Sequence, residues 1–479
     1  MKHTKALIVT TVVATLTALV LPGASAQAGN LSSYDGASWY GKYLSVSAGT
    51  LPVCSGNSGS TGQLAYGTNV DAGHECGSQS ETFIATNSAG SVVIAGSNEI
   101  QRLPMRAMAS TDGGKTFTGN DLPLPPPLTS GGFDFGSDPT IGFDSQGRAY
   151  YGYIVVFFSA GGSINGTEMA VARSADSGKT WTSTYFAAQT GSGQFNDKPM
   201  ITVDNADAHR GRIYLAWDHA TGNSSSEKNG NNVVLSFSDD GGLSFSAPVA
   251  VSGAFTGKTG GIGADPYVTA TGVLHVAWQD YANGAIVDVS STDGGLTFSA
   301  RHTVAKVNSF DFAVAAQASR AALVYPSCDS YRATLMCAYT NGSSVSTSVY
   351  VASSTDGGVT WSSTAVPAGG DQFNQWLAVD QYTGALDVSY YDTGTHGATT
   401  TRYTLARANV GGRLTAAPIS TAPTDESCCS PSVDLSNQYG DYEGLAAGNG
   451  VVHPVWTDRR QAVIDLGLRE EVFTATLAS

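Results

Sequence analysis

The sequence is poor in charged residues, and basic ones are in the minority. Of its 479 residues, 13% are charged, and 24 Lys and Arg stand against 39 Asp and Glu, for a formal net charge of -15. A chain this acidic is repelled by phosphate backbones and anionic lipid surfaces, so nucleic acid is not an expected partner. Beyond residue 26 no apolar run approaches the roughly 18 residues of a membrane helix, which argues against membrane insertion.

Motifs of several enzyme classes are also missing. The histidines are scattered without zinc-type spacing, so no histidine-based metal site is expected. The absence of a Gly-x-Ser-x-Gly elbow and of a phosphate-binding loop disfavours an esterase or a nucleotide-dependent enzyme. Helical periodicity is lacking, and 57 glycines together with many Ser and Thr indicate an all-β protein rich in turns.

The first 26 residues have the pattern of a secretory signal peptide. Lys2 and Lys5 precede an apolar run from Ala6 to Leu21, and Ala-Ser-Ala stands at 24–26. A basic start, an apolar centre and a small-residue cleavage site are the three parts of such a peptide. We therefore expect a signal peptide over residues 1–26 and a secreted, extracellular protein.

The six cysteines all follow the signal peptide. In an oxidising compartment, an even number of cysteines is most simply explained by disulfides. We expect Cys54 to pair with Cys76 and Cys328 to pair with Cys337, because each bond closes a short local loop. Residues 428 and 429 are adjacent cysteines, and the sequence leaves open whether they bridge each other or reach elsewhere.

One eight-residue pattern, Ser-x-Asp-x-Gly-x-Thr/Ser-aromatic, occurs five times. The copies begin at Ser110, Ser174, Ser238, Ser291 and Ser354, with intervals of 64, 64, 53 and 63 residues. Each follows a short apolar strand, so we interpret it as a turn whose glycine takes a positive φ and whose Asp accepts backbone N–H groups. The closing aromatic is expected to pack between neighbouring units. A repeat of this length is typical of stacked supersecondary units.

A second recurring feature, a short apolar strand in each unit, occurs seven times between residues 91 and 459. Four short strands per unit in a radial repeat predict an all-β propeller, which protects its sheet edges by closing a ring. We predict four-stranded blades over residues 80–479, with seven blades favoured. Six blades plus an irregular insert are the alternative, because the fifth unit around Arg320 to Cys337 is the least regular. Residues 27–79 form an N-terminal extension expected to add a closing strand, and the protein is expected to be a monomer.

The five repeated turns resemble the Asp-boxes, or BNR repeats, of the sialidase superfamily, over roughly residues 80–479. The resemblance implies a bacterial-type, secreted, sialidase-like propeller. Propellers of this kind include sialidases, other glycoside hydrolases, polysaccharide lyases and receptors without catalytic activity. The fold alone does not choose among these activities.

Blade topology separates the repeated turns from the predicted site. The turns join the third strand to the fourth at the bottom of the ring, whereas the first strand begins and the second ends at the top. The Asp residues of the turns are therefore predicted to be structural. Acids near the starts of the first strands should converge at the top, where repulsion should keep at least one of them protonated. A protonated acid beside an ionised one can cleave a glycosidic bond, and the catalytic candidates are Asp138, Asp197, Asp265 and Asp441.

Residues at the ends of the second strands are expected to shape a carbohydrate site beside these acids. Aromatic rings offer flat faces for sugars, and charged groups can bind their substituents. The predicted binding residues are Trp217, Asp218, Asp280, Tyr391, Asp392, Trp456, Asp458, Arg459 and Arg102. Trp278 is a further candidate, with packing inside a blade as its alternative. For each single acid, the alternative is a purely structural role. No cofactor is expected, although a ring of carboxylates could also hold Ca²⁺.

The resemblance implies further residues if the protein is a true sialidase. Three arginines would bind the substrate carboxylate, with Arg102, Arg320, Arg459 and Arg460 available, and Tyr442 with Glu443 is the candidate nucleophile pair. Neighbours in a strand point to opposite faces, which weakens that pair. The first inner strand also opens with Glu81 where an arginine would be expected, so another glycan fits at least as well. We predict a secreted, sialidase-like glycoside hydrolase of exo-α-sialidase type, with a non-catalytic carbohydrate- or protein-binding propeller and a polysaccharide lyase as alternatives.

Overall fold

The computed structural model describes most of the chain after residue 64 as strands and turns. The described residues are 65–66, 68–73, 78–99, 102–128, 132–159, 164–191, 195–206, 208–220, 231–253, 260–317, 320–343, 345–367, 369–426, 438–460 and 470–479. Every regular element in these ranges is a β-strand, which confirms the predicted all-β class. No helix in these ranges has the length and apolar character needed to cross a bilayer.

The first half of the ring contains three complete blades. The chain begins with β1 (Ala65–Tyr66) and β2 (Asn69–Asp71). Blade 1 consists of β3 (Gln79–Thr86), β4 (Val93–Glu99), β5 (Arg106–Ser110) and β6 (Thr118–Asp121). Blade 2 consists of β7 (Phe133–Phe143), β8 (Ala149–Phe158), β9 (Ile164–Ser174) and β10 (Thr182–Thr190). Blade 3 consists of β11 (Phe195–Val203), β12 (Ile213–Ala220), β13 (Asn231–Ser238) and β14 (Val249–Ala250).

The second half contains four blades and one small insert. Blade 4 consists of β15 (Gly261–Val268), β16 (Leu274–Asp280), β17 (Ala285–Ser291) and β18 (His302–Lys306). The insert pairs β19 (Asp311–Phe312) with β20 (Ala322–Leu323). Blade 5 consists of β21 (Ser327–Tyr331), β22 (Thr334–Gly342), β23 (Thr347–Ser354) and β24 (Ser362–Ala365). Blade 6 consists of β25 (Gln372–Val379), β26 (Ala385–Asp392), β27 (Arg402–Asn409) and β28 (Thr415–Pro418). Blade 7 contains β29 (Leu445–Gly448), β30 (Val451–Asp458), β31 (Glu471–Ala475) and β32 (Leu477–Ala478), and β1 and β2 belong to the same sheet.

These blades form a closed ring of seven, and the six-blade alternative is therefore wrong. The first strands of the blades are the innermost ones, and each contacts its neighbours in the order β3, β7, β11, β15, β21, β25, β29 and back to β3. The irregularity that suggested six blades is the β19–β20 insert ahead of blade 5. Adjacent blades share apolar cores, as where Val171 of blade 2 packs in one cluster with Leu215 of blade 3.

The last blade joins the two ends of the chain. Strand β2 pairs antiparallel with β31, with Val70 opposite Thr474. This pairing confirms that the N-terminal extension supplies a closing strand. It leaves the edge of β31 covered by backbone hydrogen bonds, as a closed propeller requires.

The repeated turns have the predicted structure. In all five, the Asp accepts the backbone N–H of the following Thr or Ser at 2.9 Å. The glycine of each turn has a φ between 81° and 87°, a conformation that favours glycine. The first serine of the pattern adds a contact that the sequence analysis missed, because its hydroxyl accepts the N–H of that glycine at 2.8–3.0 Å.

Strand register places the repeated turns at the end of the ring opposite the starts of the inner strands. In blade 1, Ser110 at the turn lies opposite Val93, which lies opposite Thr86 at the end of β3. The same three-strand alignment recurs in blades 2 to 5. The turns therefore lie about 16 Å along the sheet from Glu81, at roughly 3.3 Å per residue.

One predicted disulfide can be checked. Cys328 and Cys337 are bonded across β21 and β22, where they lie opposite each other. The Cys54–Cys76 prediction and the undecided pair Cys428 and Cys429 lie outside the described residues.

Candidate active site in the central channel

Five inner strands share one irregularity close to their first residues. Each of β3, β7, β11, β15 and β25 has a bulge in its pairing with the next strand, where two residues of the inner strand lie opposite one of its partner. The first residue of each bulge has a positive φ, and these residues are Glu81, Asp138, Lys198, Gly263 and Asn374. A bulge of this kind re-aims a side chain out of the alternating pattern. Outside glycine such a φ costs of order 1–3 kcal/mol and is frequent at functional sites.

Aromatic side chains fill the channel immediately below the bulges. Phe83 of blade 1 meets Trp376 of blade 6 edge to face, with ring centroids 5.1 Å apart. Tyr442 also contacts Trp376, and Met200 joins the same buried group. Because blades 1 and 6 are not neighbours in the ring, these side chains must span the channel. The bulge residues therefore lie above an apolar floor, in a site that faces the top of the ring.

Charged residues from several blades meet above this floor. We call Glu81, Asp138, Asp197, Lys198, Arg320 and Asp441 the central cluster. The Nζ atom of Lys198 lies 2.8 Å from Asp441 and 3.7 Å from both Glu81 and Asp138. Its ammonium also lies over the ring of Tyr442, 5.0 Å from the centroid. Lys198 thus connects blades 1, 2 and 3 to the chain that enters blade 7.

Arg320 approaches the cluster from the insert ahead of blade 5. Its guanidinium pairs with Asp441 and lies 3.2 Å from a carboxyl oxygen of Glu81. The backbone N–H of Asp441 donates to that same oxygen of Glu81 at 3.2 Å. The side chain of Arg320 is 14% exposed, against 2% for Glu81. Arg320 therefore lies on the solvent side of the cluster.

Asn98, at the end of β4, orders the blade 1 and blade 2 side of the cluster. Its amide donates to Glu81 at 2.6 Å, and its carbonyl oxygen accepts the N–H of Asp138 at 2.6 Å. The hydroxyl of Ser137 donates to Asp138 at 2.8 Å. These bonds fix two carboxyl groups against each other.

The environment separates the pKa values of Glu81 and Asp441. Burial raises the pKa of Glu81 to about 8, and the charges of Asp441 and Asp138 add to this rise while Lys198 opposes it. Burial also disfavours the charge of Asp441, but Arg320 and Lys198 outweigh it and lower the pKa to about 2. At neutral pH Glu81 therefore holds a proton beside an ionised Asp441.

The pKa values of Asp138 and Asp197 also move apart. Burial acts against the charge of Asp138, yet the ammonium of Lys198 holds its pKa below the usual value. Burial raises the pKa of Asp197 well above the usual value, and Asp138 and Asp218 add to the rise. At neutral pH the two cations of the cluster thus meet two ionised carboxylates, Asp138 and Asp441, beside the protonated Glu81.

Three of the four predicted catalytic acids, Asp138, Asp197 and Asp441, meet in this cluster, and Asp265 does not. In β15 the bulge falls on Gly263, so Asp265 lies two residues further along, at the level of the floor. Its carboxylate accepts the N–H of Cys328 instead. The structure places Asp265 outside the cluster, because a shift of register changes which side chain enters the channel.

The predicted aromatic faces are not available to a ligand. Trp217, Trp456 and Tyr391 are fully buried, as is Trp278. The indole N–H of Trp217 donates to Asn196 at 2.9 Å, and Trp456 stacks on Tyr403. These rings pack inside the blades, which corrects the prediction that they line a sugar site and confirms the alternative for Trp278.

Four of the six predicted charged binding residues form ion pairs within the chain. Asp280 pairs with Arg301 at 2.7 Å, Arg102 with Asp121 at 3.1 Å and Arg459 with Glu426 at 3.3 Å, while Asp458 pairs with Arg460. Asp218 lies opposite Asp197 across β11 and β12. Asp392 lines a separate cavity of about 420 Å³ on blade 6, together with Thr393, Arg402 and Pro418. No residue of the central cluster lines that cavity.

The proposed pairing of Tyr442 with Glu443 is wrong. Tyr442 faces Lys198, whereas Glu443 points the other way and accepts a hydrogen bond from the hydroxyl of Tyr391. Strand alternation accounts for this separation. Glu443 also accepts the N–H of Thr82 at 3.1 Å, and burial raises its pKa to about 8.

Lys198 and Glu81 are cluster residues that were not among the predicted site residues. Lys198 directly follows Asp197, and the prediction compared only the acidic residues of the inner strands. Aligned on the bulges, Glu81, Asp138 and Lys198 occupy the same position. A Pro follows both Asp138 and Lys198, but one also follows Asp265, so the sequence carries no signal that fixes this alignment in every blade. Among the described residues, no group of three or more His, Cys, Asp or Glu is arranged to hold a metal ion.

Comparison with known proteins supports the repeat architecture. Residues 147–362, from blade 2 to blade 5, match the BNR repeat-like domain family. This match, which spans somewhat under half of the chain, confirms the resemblance of the repeated turns to BNR repeats. No curated protein matches the sequence.

Several solved propellers are similar in structure at low identity. The leech intramolecular trans-sialidase is 12% identical with a TM-score of 0.47, covering 72% of this chain and 68% of its own. The intramolecular trans-sialidase from Ruminococcus gnavus is 14% identical with a TM-score of 0.47, at coverages of 68% and 92%. The GH93 α-L-arabinofuranosidase of Fusarium graminearum is 11% identical with a TM-score of 0.46, at coverages of 70% and 93%. At this level the similarities say nothing about activity, and the fold rests on the strand pairing itself.

Proposed function

We propose that the protein is a secreted glycoside hydrolase in which Glu81 is the proton donor and Asp441 its ionised partner. The observation behind this proposal is that both carboxyl groups contact the guanidinium of Arg320, while one pKa is raised to about 8 and the other lowered to about 2. Cleavage of a glycosidic bond needs one carboxyl that protonates the leaving oxygen and one that acts as base or nucleophile. Two acids whose surroundings separate their pKa values supply both roles at one pH.

The cations of the cluster have positioning roles in this proposal. Lys198 and Arg320 both contact Asp441, so they keep it ionised and fix its orientation. The surroundings lower the pKa of Asp138 and raise that of Asp197, so these two acids are the second choice for the catalytic pair. The apolar floor below the cluster favours approach from the top and lowers the local dielectric constant, which strengthens every charge interaction above it.

A non-catalytic binding propeller is the second candidate. The observation that favours it is the burial of the cluster: Lys198 is 7% exposed and Asp441 6%. The cluster connects the first blades to the last, so it would serve as an ionic lock of the ring. The two functions predict different results when the protonated carboxyl of Glu81 is replaced by an amide. A hydrolase loses turnover, whereas a binding propeller has no turnover to lose.

The test is turnover by the purified protein and by two isosteric variants, Glu81→Gln and Asp441→Asn. With a panel of 4-nitrophenyl glycosides and oligosaccharides, we expect hydrolysis by the wild type and a loss of at least about 10²-fold in kcat/KM in each variant. Activity of the wild type should fall above pH 8 or so, because Glu81 then loses its proton.

Asp239→Asn is the matched control, since Asp239 pairs with Arg212 beside a repeated turn on the underside. It should hydrolyse the same substrates at the wild-type rate. Saturable glycan binding with no turnover in the wild type would instead support the binding propeller. Unchanged turnover in a correctly folded Glu81→Gln variant would reject Glu81 as the acid.

A further inference from the structure

The charges of the central cluster bear on which glycans the site accepts. We infer that the sugar bound at the cluster has no negatively charged group, so that the substrate is an uncharged glycan and not a sialoside or uronide. This inference rests on the proposed function and adds a substrate class to it. It depends on the ion pairs of the site, described next.

Both cations of the cluster are already neutralised by acids of the chain itself. Lys198 lies within 3.7 Å of three carboxyl groups, those of Glu81, Asp138 and Asp441. Arg320 contacts two of the same three. A carboxylate of a substrate could reach either cation only by displacing Asp441 or by adding a negative charge beside it. Like charges a few ångströms apart in a buried site repel strongly.

The other arginines predicted to bind an acidic substituent are also paired. Arg102 contacts Asp121, Arg459 contacts Glu426, and Arg460 contacts Asp458. Recognition of a substrate carboxylate by arginine normally uses the two parallel N–H groups of the guanidinium fork. In Arg460 two guanidinium nitrogens already bond to one oxygen of Asp458. An acidic sugar would therefore compete with acids built into the fold.

A neutral sugar meets a different environment at the same place. Its hydroxyl groups can donate to Asp441 and Asp138, and can accept from the protonated carboxyl of Glu81. Hydrogen bonds to charged acceptors are stronger than those between neutral groups. The arrangement therefore favours ligands that bring hydroxyl groups and no charge.

The experiment compares substrates that differ only in one carboxylate. Matched pairs are 4-nitrophenyl glucoside with the glucuronide and 4-nitrophenyl galactoside with the galacturonide, and sialyllactose is assayed in addition as an acidic oligosaccharide. For each anomer and sugar that is turned over, we expect kcat/KM of the neutral member to exceed that of the acidic one by at least about 100-fold. Binding of each member is measured in parallel by calorimetry.

The outcomes separate this inference from the proposed function. Turnover of acidic members at equal or higher kcat/KM overturns the inference and leaves the hydrolase standing. Binding of the neutral members without turnover of any member would support the inference and reject the hydrolase. Absence of both binding and turnover across the panel counts against both.

Asp441→Asn adds an arm that does not depend on turnover. Removal of this charge releases Arg320 and Lys198, so the folded variant should bind glucuronate at least about tenfold more tightly than the wild type does. Unchanged glucuronate affinity in the variant would contradict the role assigned to Asp441, whereas tight glucuronate binding by the wild type would contradict the inference itself.

Discussion

Single buried acids give the protein a pH response that is unusual for such an acidic chain. Glu443 accepts hydrogen bonds from Thr82, Tyr391 and the N–H of Thr457, yet burial raises its pKa to about 8. Glu81 in the central cluster has a pKa raised to a similar value. Both acids are protonated in the folded chain at neutral pH, whereas an unfolded Glu has a pKa of about 4.3.

We predict that stability falls as pH rises from 5 to 9. A proton held more tightly in the folded than in the unfolded chain stabilises the fold below the unfolded pKa, and this contribution is lost as pH rises through the folded pKa. Glu443→Gln should flatten the profile of thermal midpoint against pH, because the amide does not titrate. Asp239→Asn on the underside should keep the wild-type slope. A Glu443→Gln profile as steep as the wild type would show that this acid is not the source.

At the scale of elements, the repeated turn is both a strand connection and a contact between blades. The glycine of the second turn, Gly178, has a φ of 84°, and a Cβ there would lie 2.6 Å from the Cβ of Ala109 in blade 1. Gly147, in the β7–β8 turn, has a similar φ of 79° with no atom within 4 Å of its Cβ position. The two glycines therefore separate backbone strain from blade packing.

We predict that Gly178→Ala destabilises the protein more than Gly147→Ala does. Both substitutions introduce a strained φ at a cost of about 1 kcal/mol, and the first also forces a contact between blades that costs about 1–3 kcal/mol more. Urea unfolding of the two variants and the wild type measures the difference. Equal losses would mean that the turns contribute nothing to packing between blades.

At the scale of the whole molecule, the central cluster and the β2–β31 pairing both join the beginning of the ring to its end. Lys198 in blade 3 reaches Glu81 in blade 1 and Asp441 at the entry to blade 7. A charged group removed from such a buried network leaves its partners uncompensated, at a cost of about 3–5 kcal/mol.

We predict that Lys198→Met destabilises the folded ring by about this amount and that Asp138→Asn added to it restores part of the loss. Lys198 is the cation that keeps Asp138 ionised, so the second change removes the anion that the first one leaves uncompensated, and a double-mutant cycle in urea measures the coupling. Lys115→Met, at a repeated turn on the exposed underside, should leave stability unchanged. If Lys198→Met leaves the stability unchanged, the cluster is not a lock of the ring.

The sequence by itself determined the features that depend on local contacts. A repeated turn is specified by its own eight residues, since Asp112 and Ser110 bond to backbone groups within the same loop. The number of blades followed from counting strands, and the Cys328–Cys337 bond followed from the short loop it closes. Each of these depends on residues close together in the chain, so spacing and residue type were sufficient.

Only the tertiary structure decided which side chains face the channel and which charges meet there. The bulges set the register of the inner strands. Lys198 therefore reaches the central cluster, whereas Asp265 lies lower, at the level of the apolar floor. Arg320 and Asp441 are 121 residues apart, and their contact depends on closure of the whole ring. Such pairs are formed by the geometry of seven blades around one axis, and no short stretch of sequence contains that geometry.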